Sequence, residues 1–202
     1  GGQYASIEFT GDALANLPID ERPVIPNMMA EFGAMNAYFP PDQTTFDFLE
    51  AKRSRDYTPL CPDADAEYML RHTIDLDVLE PLVALPHLPD NVIPVSALED
   101  QRIEQALIGT CTGGRYSDLA AAAEVVRGRK VTVRFIIIPA SSEVLLQAAR
   151  TGVLETLVSA GATIATPGCG PCMGNHMGVP ASGEATIMSG SRNFRGDRKS
   201  VV

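Results

Sequence analysis

The feature that most constrains the fold is a regular alternation of short apolar strands and helices along the second half of the chain. The pattern predicts strands at 106–108, 131–138 and 162–165, and helices at 117–126, around 144–146 and at 153–159. Ser117, and Ser141 or Ser142, are the predicted helix N-caps. Such alternation is typical of an α/β fold with a parallel sheet and helices on both of its faces.

Two glycine-rich loops that contain cysteines directly follow predicted strands. Cys111 lies in GTCTGG (109–114), after the strand at 106–108. Cys169 and Cys172 lie in PGCGPC (167–172), after the strand at 162–165. Ligands of parallel α/β sheets bind at the carboxyl ends of the strands. The two loops therefore predict a site at this edge of the sheet.

The chemistry of the Cys169–Cys172 pair is open when the pair is taken alone. A CxxC spacing suits a redox disulfide, a zinc site or an iron–sulfur cluster. Flanking glycines, such as Gly168 and Gly170, let the backbone wrap closely around a bulky group.

Cys111 adds a third thiolate and favours a cluster over zinc. A structural zinc site needs four ligands, and only Cys61 and His176 are candidates for the fourth. Three thiolates suit a cubane cluster with one open iron, which acts as a Lewis acid.

The first half of the chain is predicted to form a smaller α/β unit. A strand is predicted at 4–10, a helix at 27–38 with Asn27 as its N-cap, and a second helix at 42–53 capped by Asp42. Asn27 and Glu31 would then share a helix face. Residues 56–65 are a predicted loop, and four prolines within 81–94 exclude a regular helix and indicate a linker or an extended connection. The domain prediction is therefore 1–93 and 94–202.

Composition and charge argue against several classes of partner. The hydrophobic fraction of 45% and the charged fraction of 20% are ordinary for a globular protein. A formal net charge of −9 disfavours nucleic acid and anionic membranes as partners. No apolar run is long enough for a transmembrane helix, and no signal peptide is evident. With only four cysteines, the expected location is the reducing cytoplasm.

Five segments of the chain carry recognisable motifs. The cysteine motifs are IGTCTGGRYSDLAAAAEVVRGRKV (108–131) and TPGCGPCMGNHMG (166–178), and an arginine motif is SRNFRGDR (191–198). The first half contributes IEFTG (7–11) and NMMAEFGA (27–34). Together these segments resemble the aconitase superfamily, within it most closely the large subunits of 3-isopropylmalate dehydratase and prokaryotic homoaconitase. The resemblance implies two α/β/α subdomains with mainly parallel sheets.

The resemblance also implies roles for individual residues. Cys111, Cys169 and Cys172 would hold a [4Fe–4S] cluster; Asn27 and Glu31 would line the active site; Arg192 and Arg198 would bind substrate carboxylates. The implied reaction is dehydration and rehydration of a hydroxy-polycarboxylic acid, with 3-isopropylmalate to 2-isopropylmalate in leucine biosynthesis as the leading expectation. A homoaconitase-type substrate is the alternative within the family. Outside it, the alternatives are a non-catalytic cluster- or zinc-binding module and a thiol–disulfide protein.

Three positions depart from the family pattern. Gly113 and Ser191 each stand where the family has asparagine, and Asp197 stands where a second arginine is expected. We therefore expect Arg198, the next residue, to take the carboxylate-binding role of the second arginine. The resemblance further implies a fragment without the N-terminal domain and C-terminal end of the family, and a small swivel-domain subunit that supplies the catalytic base. We expect these 202 residues alone to lack dehydratase activity.

Overall fold

A computed structural model describes residues 2–52 and 55–194. The chain divides into two compact units, Gly1–Glu80 and Pro81–Val202. None of the helices within the described ranges is long and apolar enough to cross a membrane.

The first unit contains a two-stranded parallel sheet and two α-helices. Its elements are β1 (Ser6–Glu8), α1 (Val24–Met29), β2 (Asn36–Tyr38) and α2 (Gln43–Ala51), with 3₁₀ turns at Asp12–Asn16 and Leu76–Val78. Strand β1 pairs with β2, and Ile7 lies opposite Ala37. Residues 56–65 contain no helix or strand, so the predicted loop is confirmed.

The predicted helix at 27–38 is wrong in both of its bounds. Helix α1 begins at Val24 and ends at Met29, so Asn27 lies inside the helix and is not its N-cap. Gly33 then adopts a left-handed conformation with φ +81°, which reverses the chain. Residues 36–38 follow as β2 and pair in parallel with β1.

The start of α2 is fixed by an ion pair between a buried arginine and a partly exposed aspartate, and here the predicted cap is confirmed. Asp42 caps the helix by accepting a hydrogen bond of 3.0 Å from the Thr45 backbone N–H. Arg22 is only 4% exposed and donates from Nη1 to the Asp42 carboxylate at 2.7 Å. That guanidinium, aided by the Thr45 N–H, lowers the pKa of Asp42 from 3.8 to about 2.

The second unit is built around a four-stranded parallel sheet. Its elements are β3 (Leu82–Ala84), β4 (Val92–Pro94), β5 (Gln105–Gly109), α3 (Thr110–Gly113), α4 (Tyr116–Val126), β6 (Arg134–Ile138), α5 (Ser142–Arg150), α6 (Val153–Ala160), β7 (Thr163–Ile164) and β8 (Thr186–Met188), with 3₁₀ turns at Val95–Ala97 and Gly170–Met173. The strand order is β7-β6-β5-β8, and every neighbouring pair is parallel.

The proline-rich segment 81–94 is a hairpin rather than a linker. Strands β3 and β4 pair antiparallel, with Val83 opposite Ile93. The side-chain amide of Asn193 donates to two carbonyls of this hairpin, which ties it to the second unit. The boundary between the two units lies between Glu80 and Pro81, whereas the sequence predicts that the first domain ends at residue 93.

Helices α4, α5 and α6 cover one face of the main sheet. Their buried side chains pack on alternate residues of β6 in one cluster: Leu119, Ala123, Phe135, Ile137, Ala148, Leu157 and Ala162. Ser141 caps α5 as predicted and accepts from Val144 N at 3.2 Å. The cap predicted at Ser117 is wrong: α4 begins at Tyr116, and the N-cap residue is Arg115.

The predicted α/β fold with mainly parallel sheets is confirmed, but the opposite face of the main sheet is covered by an irregular segment rather than by helices within the described residues. The β7–β8 connection has only the short 3₁₀ turn Gly170–Met173. It lies so close to β6 that a Cβ atom at Gly170 or Gly178 would overlap Ile138 or Ile136, respectively. Buried Gln105 fixes this crossing through a 2.8 Å hydrogen bond from Nε2 to the Gly178 carbonyl.

Candidate metal centre

Three loops of the second unit meet at the carboxyl end of the parallel sheet. The cysteine-111 loop (109–114) follows β5, the CxxC loop (166–174) follows β7, and the arginine loop (189–193) follows β8. This is the edge at which parallel α/β sheets bind ligands. The topology of the sheet thus gathers the cysteine and arginine motifs of the second unit.

Ser189 joins the arginine loop to the cysteine-111 loop. Its hydroxyl accepts from the Gly109 backbone N–H at 3.0 Å and donates to the Gly113 carbonyl at 2.9 Å. A Cβ atom at Gly113 would overlap the Ser189 backbone and side chain. Glycine at this position therefore permits the close approach of the two loops.

Gly190 marks the place where all three loops converge. A Cβ atom built there would lie 3.4 Å from Cys172 Sγ and 3.5 Å from Thr110 Oγ1. Thr110 directly precedes Cys111, so the sulfur of the CxxC loop lies beside the backbone that carries the third cysteine. The contact supports a shared site for the two cysteine motifs.

The three cysteines differ in exposure, and the structure records no disulfide among them. Cys172 is 6% exposed, whereas Cys111 and Cys169 are exposed. Within 2–52 and 55–194, no three His, Cys, Asp or Glu side chains gather closely enough for one metal ion. That spacing disfavours a single zinc ion but not a cubane, in which each thiolate binds a different iron.

The candidates for a fourth zinc ligand lie in exposed positions. Cys61 belongs to the first unit, and His176 lies beyond the CxxC turn. Neither takes part in a metal-sized group within the described ranges.

Buried hydroxyls around the cysteine-111 loop fit a polar, non-protein partner. Thr110 Oγ1, Thr112 Oγ1 and Ser117 Oγ are buried without a hydrogen-bond partner. A buried polar group that stays unsatisfied costs about 1–3 kcal/mol. Three such groups beside soft thiolates match the surroundings of an iron–sulfur cluster, whose sulfurs accept hydrogen bonds.

The arginine loop is held by the residue after Arg192. Asn193 Nδ2 donates to Leu85 O at 2.8 Å and to Ala84 O at 3.3 Å. The Arg192 guanidinium lies 5.3 Å from the centroid of the Phe194 ring. Arg192 is partly buried, and its guanidinium is a group that can bind a carboxylate through two parallel N–H donors. Asp197 and Arg198 lie outside the described residues.

Asn27 and Glu31 belong to the first unit. Asn27 is exposed on α1, and Glu31 is partly buried in the turn that follows the helix. They are four residues apart but do not share one helix, because α1 ends at Met29.

Sequence reasoning missed Thr110, Ser189 and Asn193 as residues of this site. Thr110 and Asn193 lie inside the motifs given above, but the sequence does not show which residues they contact in the folded chain. Ser189 lies just before the arginine motif, and its sole local signal is the neighbouring Gly190.

Comparison with known proteins identifies the family. The model of the Aconitase family (aconitate hydratase) matches residues 1–102 and 96–201. The chain is 47% identical over 196 residues to a probable methanogen homoaconitase large subunit of Methanosarcina mazei, covering 97% of this chain and 50% of that protein. It is 44% identical over 198 residues to the 3-isopropylmalate dehydratase large subunit of Clostridium kluyveri, covering 97% and 47%. The chain spans about half the length of the curated relatives it matches. With both halves matched by the family model, the chain belongs to the aconitase family.

Proposed function

We propose that this chain is the cluster-binding part of a hydro-lyase large subunit, in which Cys111, Cys169 and Cys172 hold a [4Fe–4S] cluster. The observation that carries the proposal is the convergence at Gly190, where Cys172 Sγ and the residue before Cys111 flank one small volume. The unsatisfied hydroxyls around the cysteine-111 loop support it further. When bound, such a cluster supplies a Lewis-acidic iron that polarises a substrate hydroxyl.

The side chains of this chain would bind and orient the substrate. Arg192 would bind a substrate carboxylate through two parallel N–H donors, and Asn193 would hold the loop in place for it. Asn27, Glu31 and Arg198 are proposed to take part in substrate binding on the strength of the family resemblance. The proton removed from the neighbouring carbon requires a base, which we propose comes from a partner subunit.

The arginine loop and the relatives support a proposal for the substrate class. Guanidinium recognition suits a di- or tricarboxylic hydroxy acid, which would be dehydrated and rehydrated at the neighbouring carbon. Homoaconitase and 3-isopropylmalate dehydratase large subunits match at similar identity, 47% and 44%. We propose 3-isopropylmalate first and a homoaconitase-type acid as the alternative. Both relatives are named large subunits, so we also propose a small-subunit partner. The location that we propose is the cytoplasm.

Anaerobic reconstitution with iron and sulfide tests the cluster. We expect about four irons and four labile sulfides per chain, with a [3Fe–4S] EPR signal after mild oxidation. Serine variants of Cys111, Cys169 and Cys172 should each lose iron. Cys61→Ser is the matched control and should keep it, because Cys61 is an exposed residue of the first unit.

Other outcomes point to the other classes. If the chain bound zinc and contained no labile sulfide, the hydro-lyase proposal would be wrong and a zinc-binding module would be indicated. A reversible Cys169–Cys172 disulfide with no bound metal would indicate a thiol–disulfide protein. Turnover of 3-isopropylmalate by the 202-residue chain without any partner would contradict the proposed source of the base.

A further inference from the structure

Thr110 combines two features that its neighbours in the loop do not explain. Its side chain is 2% exposed, and its hydroxyl has no hydrogen-bond partner within the described part of the chain. Its backbone has φ +71°, a left-handed conformation that is strained for a β-branched residue. A residue kept both strained and unsatisfied indicates a role beyond packing.

The surroundings of the hydroxyl show what it can reach. Thr110 Oγ1 and Cys172 Sγ lie on the same small volume at Gly190, at 3.5 Å and 3.4 Å from a Cβ atom built there. The terminal methyl of Met188 occupies this volume, because a Cβ atom built at Gly190 would overlap it. Cys172 is 6% exposed, so water has little access to its sulfur. The threonine hydroxyl is thus a hydrogen-bond donor that lies on the same side of Gly190 as that sulfur.

We infer that Thr110 is a positioning residue for the cluster, and that its hydroxyl donates a hydrogen bond to the sulfur of Cys172 when this thiolate binds iron. The inference rests on the proposed function, because it assumes that Cys172 is a cluster ligand. The left-handed backbone of Thr110 turns the chain from β5 into the cysteine-111 loop and keeps the hydroxyl on the Cys172 side.

The consequence of this hydrogen bond is electrostatic. Reduction adds one negative charge to the cluster, and that charge spreads onto the ligating sulfurs. A hydrogen bond to a ligating sulfur stabilises the reduced state more than the oxidised state, so it raises the reduction potential. A valine at position 110 keeps the shape of threonine but removes the donor.

Substitutions at position 110 test the inference through the reduction potential rather than through activity. The reconstituted chain is oxidised to the [3Fe–4S] form, and the midpoint potential of its one-electron couple is measured by EPR-monitored redox titration. T110V should shift the midpoint to lower potential, and T110S, which keeps the hydroxyl, should stay close to the wild type. T112V is the matched control, because Thr112 is also buried and unsatisfied in the same loop but is not among the three residues nearest to a Cβ atom built at Gly190.

Unfolding of the iron-free chain separates this role from a structural one. The hydroxyl has no partner within the described protein, so T110V should unfold at the same or a higher denaturant concentration. A lower unfolding midpoint for iron-free T110V would indicate a structural role and overturn the inference.

Two further outcomes would overturn it. An unchanged reduction potential in T110V, or an equal shift in T112V, would show that Thr110 does not act specifically on Cys172, while the cluster site itself would stand. Failure of the wild-type chain to assemble any cluster would instead overturn the proposed function, and this inference with it.

Discussion

Ser189 and Gly113 are joined by a 2.9 Å hydrogen bond from the serine hydroxyl to the glycine carbonyl oxygen, across two loops that follow different strands. The same hydroxyl accepts from the Gly109 backbone N–H, so one side chain bonds to both ends of the cysteine-111 loop. The absence of a side chain at Gly113 is what brings the loops within this distance. The position of Cys111 thus depends on Ser189, which is not itself a proposed metal ligand.

Adding a methyl group at position 113 should separate the two loops. In G113A the new Cβ would overlap Ser189 backbone and side-chain atoms, and we expect a loss of about 1–3 kcal/mol in the free energy of unfolding. Iron content after reconstitution should fall with it, because Cys111 moves with the loop. Denaturant unfolding and iron analysis measure the two effects.

A matched glycine variant separates loop displacement from general instability. Gly128 has φ +70° and no atom near its Cβ position, so G128A should lose about 1–2 kcal/mol from backbone strain alone. Its iron content should match that of the wild type. Equal iron content in G113A and G128A would contradict the proposed dependence on Ser189.

The arginine loop should loosen when Asn193 loses its donor. N193D keeps the side-chain shape but turns a carboxylate oxygen toward the carbonyls of Ala84 and Leu85. We expect faster amide exchange in the β3–β4 hairpin and a loss of about 1–3 kcal/mol in stability. Hydrogen exchange across residues 82–94 measures this. N175D, at an exposed position, is the control, and equal exchange in both variants would refute the anchoring role.

Local signals were sufficient to predict a helix cap in each unit and the strands that precede the cysteine loops. The caps at Asp42 and Ser141 were predicted correctly, because an N-cap is an interaction between near neighbours in sequence. The strands that precede the cysteine loops were predictable for a similar reason, since β-branched and apolar runs bounded by glycine favour buried strands.

Errors arose where distant residues decide the local structure. Residues 36–38 form a strand only because β1 is available to pair with them, and no local pattern carries that information. The second face of the sheet was expected to carry helices, yet glycines there let the β7–β8 connection lie directly on Ile136 and Ile138. The contacts of Thr110, Ser189 and Asn193 are tertiary in the same sense. The cysteines could be identified from their motifs, but the residues that position them could not.

The ion pair between Arg22 and Asp42 should make stability depend on pH in the acid range. The pKa of Asp42 is about 2 in the folded chain, below its ordinary value of 3.8. The stabilisation is therefore fully present above pH 3.8 and is lost as the pH falls through about 2. Because the Asp42 side chain is 40% exposed, we expect only about 1 kcal/mol after solvent screening.

The D42N variant isolates this contribution. Asparagine still caps the helix, so the variant keeps the Thr45 hydrogen bond but loses the charge opposite Arg22. The difference in unfolding free energy between wild type and D42N should be constant above pH 3.8 and shrink towards pH 2. A difference that stays constant to pH 2 would mean that the ion pair is not the cause.

Replacing Arg192 by lysine should weaken substrate binding without disturbing the cluster. Lysine keeps the positive charge but cannot form two parallel hydrogen bonds with one carboxylate, so we expect the KM of the assembled enzyme to rise about 10- to 100-fold. Iron content and reduction potential should remain those of the wild type, because Arg192 is not a proposed cluster ligand.

The control for this substitution is Arg102→Lys. Arg102 has the same chemistry but is 89% exposed and pairs with Glu104 before β5, so its replacement should leave KM unchanged. If R192K lowered kcat with an unchanged KM, Arg192 would act on the transition state rather than on the bound substrate carboxylate. If R192K and R102K behaved alike, the arginine loop would not form part of the substrate site. A selective rise in KM in R192K would support the proposed binding of a substrate carboxylate by the Arg192 guanidinium.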